Sequence, residues 1–154
     1  MSTLNPIILL VEDNADDEDL TCRVLAANAR DHSMVVIRDG RDALDHIEQG
    51  ARAADAGPAP DRLPRLVLLD LNLPRVNGFA VLQAMRQLEG WRRIPVVVLS
   101  TSHEPLDVER CYDLGCNSFV QKPVEFDRFR EVVGLIGRYW LAVNTAAAGA
   151  EASS

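Results

Sequence analysis

Leu66-Val67-Leu68-Leu69-Asp70-Leu71-Asn72-Leu73-Pro74-Arg75-Val76-Asn77-Gly78 is the stretch on which the fold class turns. Its first four residues are apolar without alternation, the pattern of a short strand buried on both faces. Asp70 ends the run, and Asn77-Gly78 opens a helical pattern that continues to Glu89 with apolar residues three or four apart. Comparable apolar runs stand at Ile7–Val11, Met34–Ile37, Val96–Leu99 and Ser118–Val120. Helical patterns fill the intervals at Asp16–Ala29, Arg41–Gln49, Leu106–Leu114 and Phe126–Leu141. Five strands alternating with five helices predict an α/β domain with a doubly wound, five-stranded parallel sheet.

Local signals agree with this division. Asn14 or Asp16 can cap the first helix, and Gly115 stands just past the fourth, where a left-handed residue ends a helix. The segment GARAADAGPAPDRLP, residues 50–64, lacks a core-facing stripe and is expected to be an exposed connection, long for its kind. The tail Asn144–Ser154 is dominated by Ala and Ser and is expected to be flexible, leaving residues 1–143 as one domain.

A chain of 154 residues with 47% hydrophobic content can bury a single core but not two. The net charge of −7 argues against binding phosphate backbones, so nucleic acid is not an expected partner. No apolar run approaches the ~18 residues of a membrane span, and the first residues do not resemble a signal peptide, so the expectation is a cytoplasmic protein away from membranes. Cys22, Cys111 and Cys116 lack metal-ligand spacing and are expected to be neutral thiols.

In an open parallel sheet, ligands collect at the carboxyl ends of the strands. Glu12, Asp13, Asp70, Ser100 and Lys122 all fall at such ends. Three carboxylates brought together repel one another unless a cation neutralises them, and Mg²⁺ suits hard oxygen ligands of this kind. Asp70 is then a nucleophile toward phosphorus, with Lys122 offsetting charge on the phosphoryl oxygens. Ser100 is the hydroxyl placed to hydrogen-bond one of those oxygens; Thr101 takes its place if the strand register slips by one.

The phrases ILLVEDN, LVLLDLNLPRVNG, VVVLSTS and FVQKP, in that order, resemble the motifs of the receiver domain of two-component response regulators, a flavodoxin-like fold, over about Pro6 to Leu141. The resemblance implies that Asp70 accepts phosphate from a histidine kinase. Asp13, Asp70 and the Asn72 carbonyl would hold Mg²⁺, or alternatively Mn²⁺, with Glu12 acting through metal-bound water. It also implies that Lys122 contacts the phosphoryl group, that Ser100 moves toward it, that Phe119 swings inward, and that Pro123 follows a cis peptide bond. The connection before residue 66, the LSTS phrase and Arg138-Tyr139-Trp140-Leu141 are similar to stand-alone receivers that serve bacterial phytochrome kinases.

With no output domain expected, signalling would pass to a downstream protein target or a histidine phosphotransfer protein. The last helix carries Phe126, Tyr139 and Trp140, and the latter two are hard to bury in a monomer, which implies a homodimer contact there. Two other readings compete. A degenerate receiver would bind proteins without being phosphorylated. An aspartate-nucleophile phosphatase would need a second acid two residues after Asp70, where Asn72 stands, so the chain is not expected to be an enzyme in its own right.

Overall fold

The computed structural model describes residues 6–28, 31–56 and 63–147. Strands β1 (Ile7–Val11), β2 (Ser33–Ile37), β3 (Pro64–Leu69), β4 (Val96–Ser100) and β5 (Ser118–Gln121) alternate with helices α1 (Ala15–Asn28), α2 (Gly40–Ala56), α3 (Gly78–Gln87), α4 (Pro105–Asp113) and α5 (Phe126–Gly137). All strand pairs are parallel, in the order β2-β1-β3-β4-β5. The expected doubly wound architecture is what the chain adopts.

Because side chains alternate across a strand, each continuous apolar run feeds two cores. Leu9, Val11, Val67, Leu69, Val96 and Val98 face one side with Ala43, Ile47, Val81, Leu82, Met85 and the fully buried Trp91. Ile8, Leu10, Leu66, Leu68, Val97 and Leu99 face the other, with Leu20, Leu25, Phe129, Val133 and Ile136. The second group brings α1 and α5 together under one face of the sheet. The edge strands β2 and β5 are only half-buried, while β3 and β4 are almost wholly enclosed.

Helix ends follow the local chemistry. Asn14 Oδ1 accepts from the Asp17 N–H (2.9 Å) at the start of α1, and Asn77 Oδ1 accepts from the Ala80 N–H (3.1 Å) at the start of α3. At the end of α4, the Gly115 N–H reaches Tyr112 O and the Cys116 N–H reaches Cys111 O, with Gly115 at φ 99°, a Schellman closure. Cys111 and Cys116 thereby join the first core as thiols, and burial pushes Cys111 up to about 12. Tyr112 also turns its hydroxyl to the outward Phe119 N–H of β5 (3.2 Å).

Three sequence expectations need correction. First, α2 runs to Ala56, so half of the supposed connection is helix. The alanine-rich sequence of residues 51–56 has the high helix propensity that carries the helix past Gly50. Residues 57–62 lie outside the described residues. Second, the last helix does not run evenly to Leu141: α5 gives way to a π-helical turn, Arg138–Val143, in which Asn144 N–H bonds Tyr139 O at 2.7 Å. Third, the chain does not leave the domain at Asn144. Ala146 is buried and belongs to the first core, on the opposite face of the sheet from α5. The rest of the tail, from residue 148, lies outside the described residues.

Candidate functional site

The sheet hydrogen bonds continue past the strands and align their carboxyl ends. Glu12 N–H donates to Ile37 O, Asp70 N–H to Val11 O (3.0 Å) and Lys122 N–H to Ser100 O (2.7 Å). This places the residues after β1, β3 and β5 along one rim, at the point where the strand order reverses. Side chains from three separated segments then meet. Lys122 Nζ lies 2.7 Å from Glu12 Oε1, 2.9 Å from Asp17 Oδ2 and 3.2 Å from Asp70 Oδ2. Glu12, Asp70 and Lys122 are all buried, whereas Asp13 is exposed.

Burying this much charge shifts the groups that carry it. Desolvation, together with the neighbouring Asp70 carboxyl, pushes Glu12 up to about 8, although Lys122 pulls the other way. Burial alone would lower the Lys122 ammonium, but the charges of Asp70 and Glu12 and the bond to Asp17 outweigh it and hold the group protonated. One lysine does not balance three acids. Each of Glu12, Asp13 and Asp70 offers an oxygen, and those oxygens lie within 4.8 Å of one another. Hard carboxylate donors at that spacing, carrying uncompensated negative charge, suit a divalent ion such as Mg²⁺ or Mn²⁺.

The backbone holds the Asp70 carboxylate in place. Asn72 N–H donates to Asp70 Oδ1 (3.2 Å), and the following turn folds back through Leu73 N–H to Leu71 O and Val76 N–H to Pro74 O. Gly78 N–H also bonds Leu71 O (2.8 Å), tying the start of α3 to the end of β3.

The sequence profile of the response regulator receiver domain matches residues 8–134. The chain belongs to that family. The receiver is 40% identical over 141 residues to the probable methanogenesis regulatory protein FilR2 of Methanothrix harundinacea, covering 90% of this chain and 85% of the relative. It is 39% identical over 140 residues to the response regulator Rcp1 of a Synechocystis species, covering 90% of this chain and 91% of Rcp1. The Mn²⁺-bound structure of Rcp1 matches with a TM-score of 0.81 at 37% identity, over 93% of this chain and 99% of that one. The phosphorylated cyanobacterial phytochrome response regulator RcpA matches with a TM-score of 0.82 at 36% identity, over 94% and 99%.

Most of the residues singled out in the sequence converge at the rim of the receiver. Ser100, the last residue of β4, is fully buried, while Thr101 is exposed, so the register places Ser100 inward. Its Oγ accepts from the Ser102 N–H (3.1 Å), which leaves the hydroxyl proton free to donate elsewhere. Ser102 Oγ in turn donates to Asp107 Oδ2 (2.6 Å), pinning the β4–α4 loop to α4. Phe119 is half-buried against the first core. The Lys122–Pro123 bond is trans, as are the other peptide bonds of the described residues, against the expected cis bond. Trans is the lower-energy isomer of an X–Pro bond, and Lys122 reaches all three carboxylates with it. Of the proposed dimer residues, Phe126 and Tyr139 are exposed, but Trp140 packs partly against the second core. It continues the stripe of Phe129, Val133 and Ile136.

Asp17 was missed. An acid in the first turn of a helix reads as a favourable dipole contact, and nothing in the sequence marks it as a lysine partner. Its one signal is position, a single helical turn beyond the acidic pair.

The raised Glu12 value has a consequence for stability. Without divalent ions, the folded receiver keeps a proton on Glu12 between the ordinary value of 4.5 and about 8, where the unfolded chain has lost it. The unfolded state binds fewer protons in that window, so this group makes stability fall as pH rises through it, by up to ~1.4 kcal/mol per pH unit. Urea titrations in EDTA should show a flatter pH profile for Glu12→Gln than for wild type, and saturating Mg²⁺ should remove most of the difference.

Proposed function

We propose that this receiver takes a phosphoryl group onto Asp70 from the phosphohistidine of a histidine kinase and signals through the resulting change in its surface. The observation that supports this best is the placement of Asp70 at the end of the central strand. Its Oδ2 is 3.2 Å from the Lys122 ammonium, and it belongs to the cluster able to hold a divalent ion. As an Asp70 oxygen bonds to phosphorus, the P–N bond of the donor breaks and the leaving imidazole takes up a proton. Lys122 meets charge on the transferred group, and Asn72 N–H orients the attacking carboxylate. A divalent ion held by Asp13, Asp70 and the Asn72 carbonyl, with Glu12 behind it, would supply further positive charge against the phosphoryl oxygens.

The new dianion then attracts Ser100. Moving its hydroxyl inward breaks the Ser102 N–H bond and loosens the loop into α4, next to the half-buried Phe119. The likeness to the phytochrome response regulator RcpA supports a phytochrome histidine kinase as the donor. Output passes to a downstream protein or a histidine phosphotransfer protein in the cytoplasm; no described helix is long and apolar enough to cross a membrane. Incubation with acetyl phosphate and Mg²⁺ tests the reading: intact mass should report a single added phosphoryl group, and an unmodified chain would refute it.

Two copies pair through the last helix. Leu135, Tyr139 and Val143 are 50%, 48% and 67% exposed at four-residue intervals, an apolar stripe open to a second copy although the Tyr139 ring meets that of Trp140 edge-on. Because Trp140 is partly committed to its own core, the informative variant is Leu135→Glu with Tyr139→Glu. Light scattering should show it shifted from dimer to monomer with little change in melting temperature.

A further inference from the structure

We infer that Asp17 is a positioning residue for phosphoryl transfer, holding the Lys122 ammonium so that its remaining N–H faces Asp70. This rests on the proposed phosphoacceptor role of Asp70. An ammonium has three N–H donors, and here each has one carboxylate: Glu12 at 2.7 Å, Asp17 at 2.9 Å and Asp70 at 3.2 Å. The two short bonds fix the place of the nitrogen, and the longest is directed at the group that reacts. A lysine side chain is a flexible four-carbon stem, so one anchor would leave its head free to swing.

The anchors are themselves joined. Glu12 Oε2 accepts from the Asn14 N–H (3.2 Å), and Asn14 Oδ1 accepts from the Asp17 N–H (2.9 Å). Glu12, Asn14, Asp17 and Lys122 therefore form a closed ring of hydrogen bonds that locates the ammonium relative to both β1 and α1. Within that ring the two acids are not equivalent. Glu12 also belongs to the cluster that suits a divalent ion, whereas Asp17 lies outside it. Once an ion draws on Glu12 and Asp70, Asp17 is the carboxylate that remains dedicated to Lys122.

A purely electrostatic role would act in the opposite direction. A negative charge near the site repels an anionic phosphodonor, so if charge were all that mattered, removing Asp17 would speed the reaction. A purely structural role would appear in stability, yet without Asp17 the Lys122 ammonium still has Glu12 at 2.7 Å and Asp70 at 3.2 Å, so no buried charge is left unpaired.

The test uses the full chain, wild type, Asp17→Ala and Asp17→Asn, with acetyl phosphate as donor at saturating Mg²⁺. Asp17→Ala should phosphorylate about tenfold more slowly, a loss typical of a displaced reacting group, while calorimetric Mg²⁺ affinity and melting temperature stay near wild type. Asp17→Asn should recover most of the rate, because its amide oxygen still accepts from Nζ. An alanine variant as fast as wild type or faster, or an asparagine variant as slow as alanine, overturns the inference. A wild-type chain that gains no phosphoryl group on Asp70 overturns the underlying reading instead.

Discussion

Asp70→Asn, treated with acetyl phosphate and Mg²⁺, should gain no ~80 Da adduct under conditions that load the wild type. The amide keeps the shape of the carboxylate but has no anionic oxygen to attack phosphorus. The fold should tolerate the change, since Lys122 retains Glu12 at 2.7 Å and Asp17 at 2.9 Å. Stability should even rise in the absence of metal, because Asp70 is one of the groups that hold Glu12 up at about 8. With Asp70 neutral, Glu12 ionises at lower pH, and its contribution to the pH dependence of folding shrinks with it. Loss of phosphorylation with preserved or improved stability separates a chemical role from a structural one. An adduct mapped to another residue in the variant would contradict the assignment.

The second large effect lies away from the charges. A Cβ on Gly40 would sit 1.7 Å from Val76 O and 2.6 Å from Val76 C, both backbone atoms that cannot rotate aside. Gly40 N–H also bonds Pro74 O (3.1 Å), so the start of α2 lies directly against the turn after β3. Gly40→Ala should therefore destabilise by about 3 kcal/mol, the upper end for overpacking. For a domain of this size that corresponds to a fall in melting temperature of about 6–12 °C. Phosphorylation should slow as well, because the displaced turn carries Asn72, whose N–H orients Asp70. Gly90→Ala is the control: its Cβ would meet Leu63 at 3.5 Å, an ordinary contact, and should shift stability by less than about 1 kcal/mol.

Particular residues show what was legible in the sequence. The runs at Ile7, Leu66 and Val96 announced buried parallel strands because unbroken apolar stretches of four or five residues, bounded by polar turns, suit little else. Once the strands were parallel, the acids and the lysine at their ends had to share a rim, so Glu12, Asp13, Asp70 and Lys122 could be assembled without coordinates. The misses have a different physics. The length of α2 depends on alanine propensity rather than on an apolar stripe. Trp140 lies four residues past Ile136, on the stripe of Phe129 and Val133, so its inward turn obeys the helical period; what the sequence does not announce is that the chain continues through a π-helical turn along the same core. Ala146 reaches the opposite core because of the path the chain takes after that turn, and a methyl group gives no sequence signal of burial. Asp17 is the instructive case. Its role is set by a lysine 105 positions away, and residue type alone does not distinguish a capping acid from a bridging one.

The contact between Tyr112 and β5 bears on solubility. An outermost strand offers free backbone donors on which a foreign strand can template, a route to ordered aggregates. Here the Phe119 donor on that side is already occupied by the phenol oxygen of Tyr112, so the margin of the sheet is guarded from within by its own neighbouring helix.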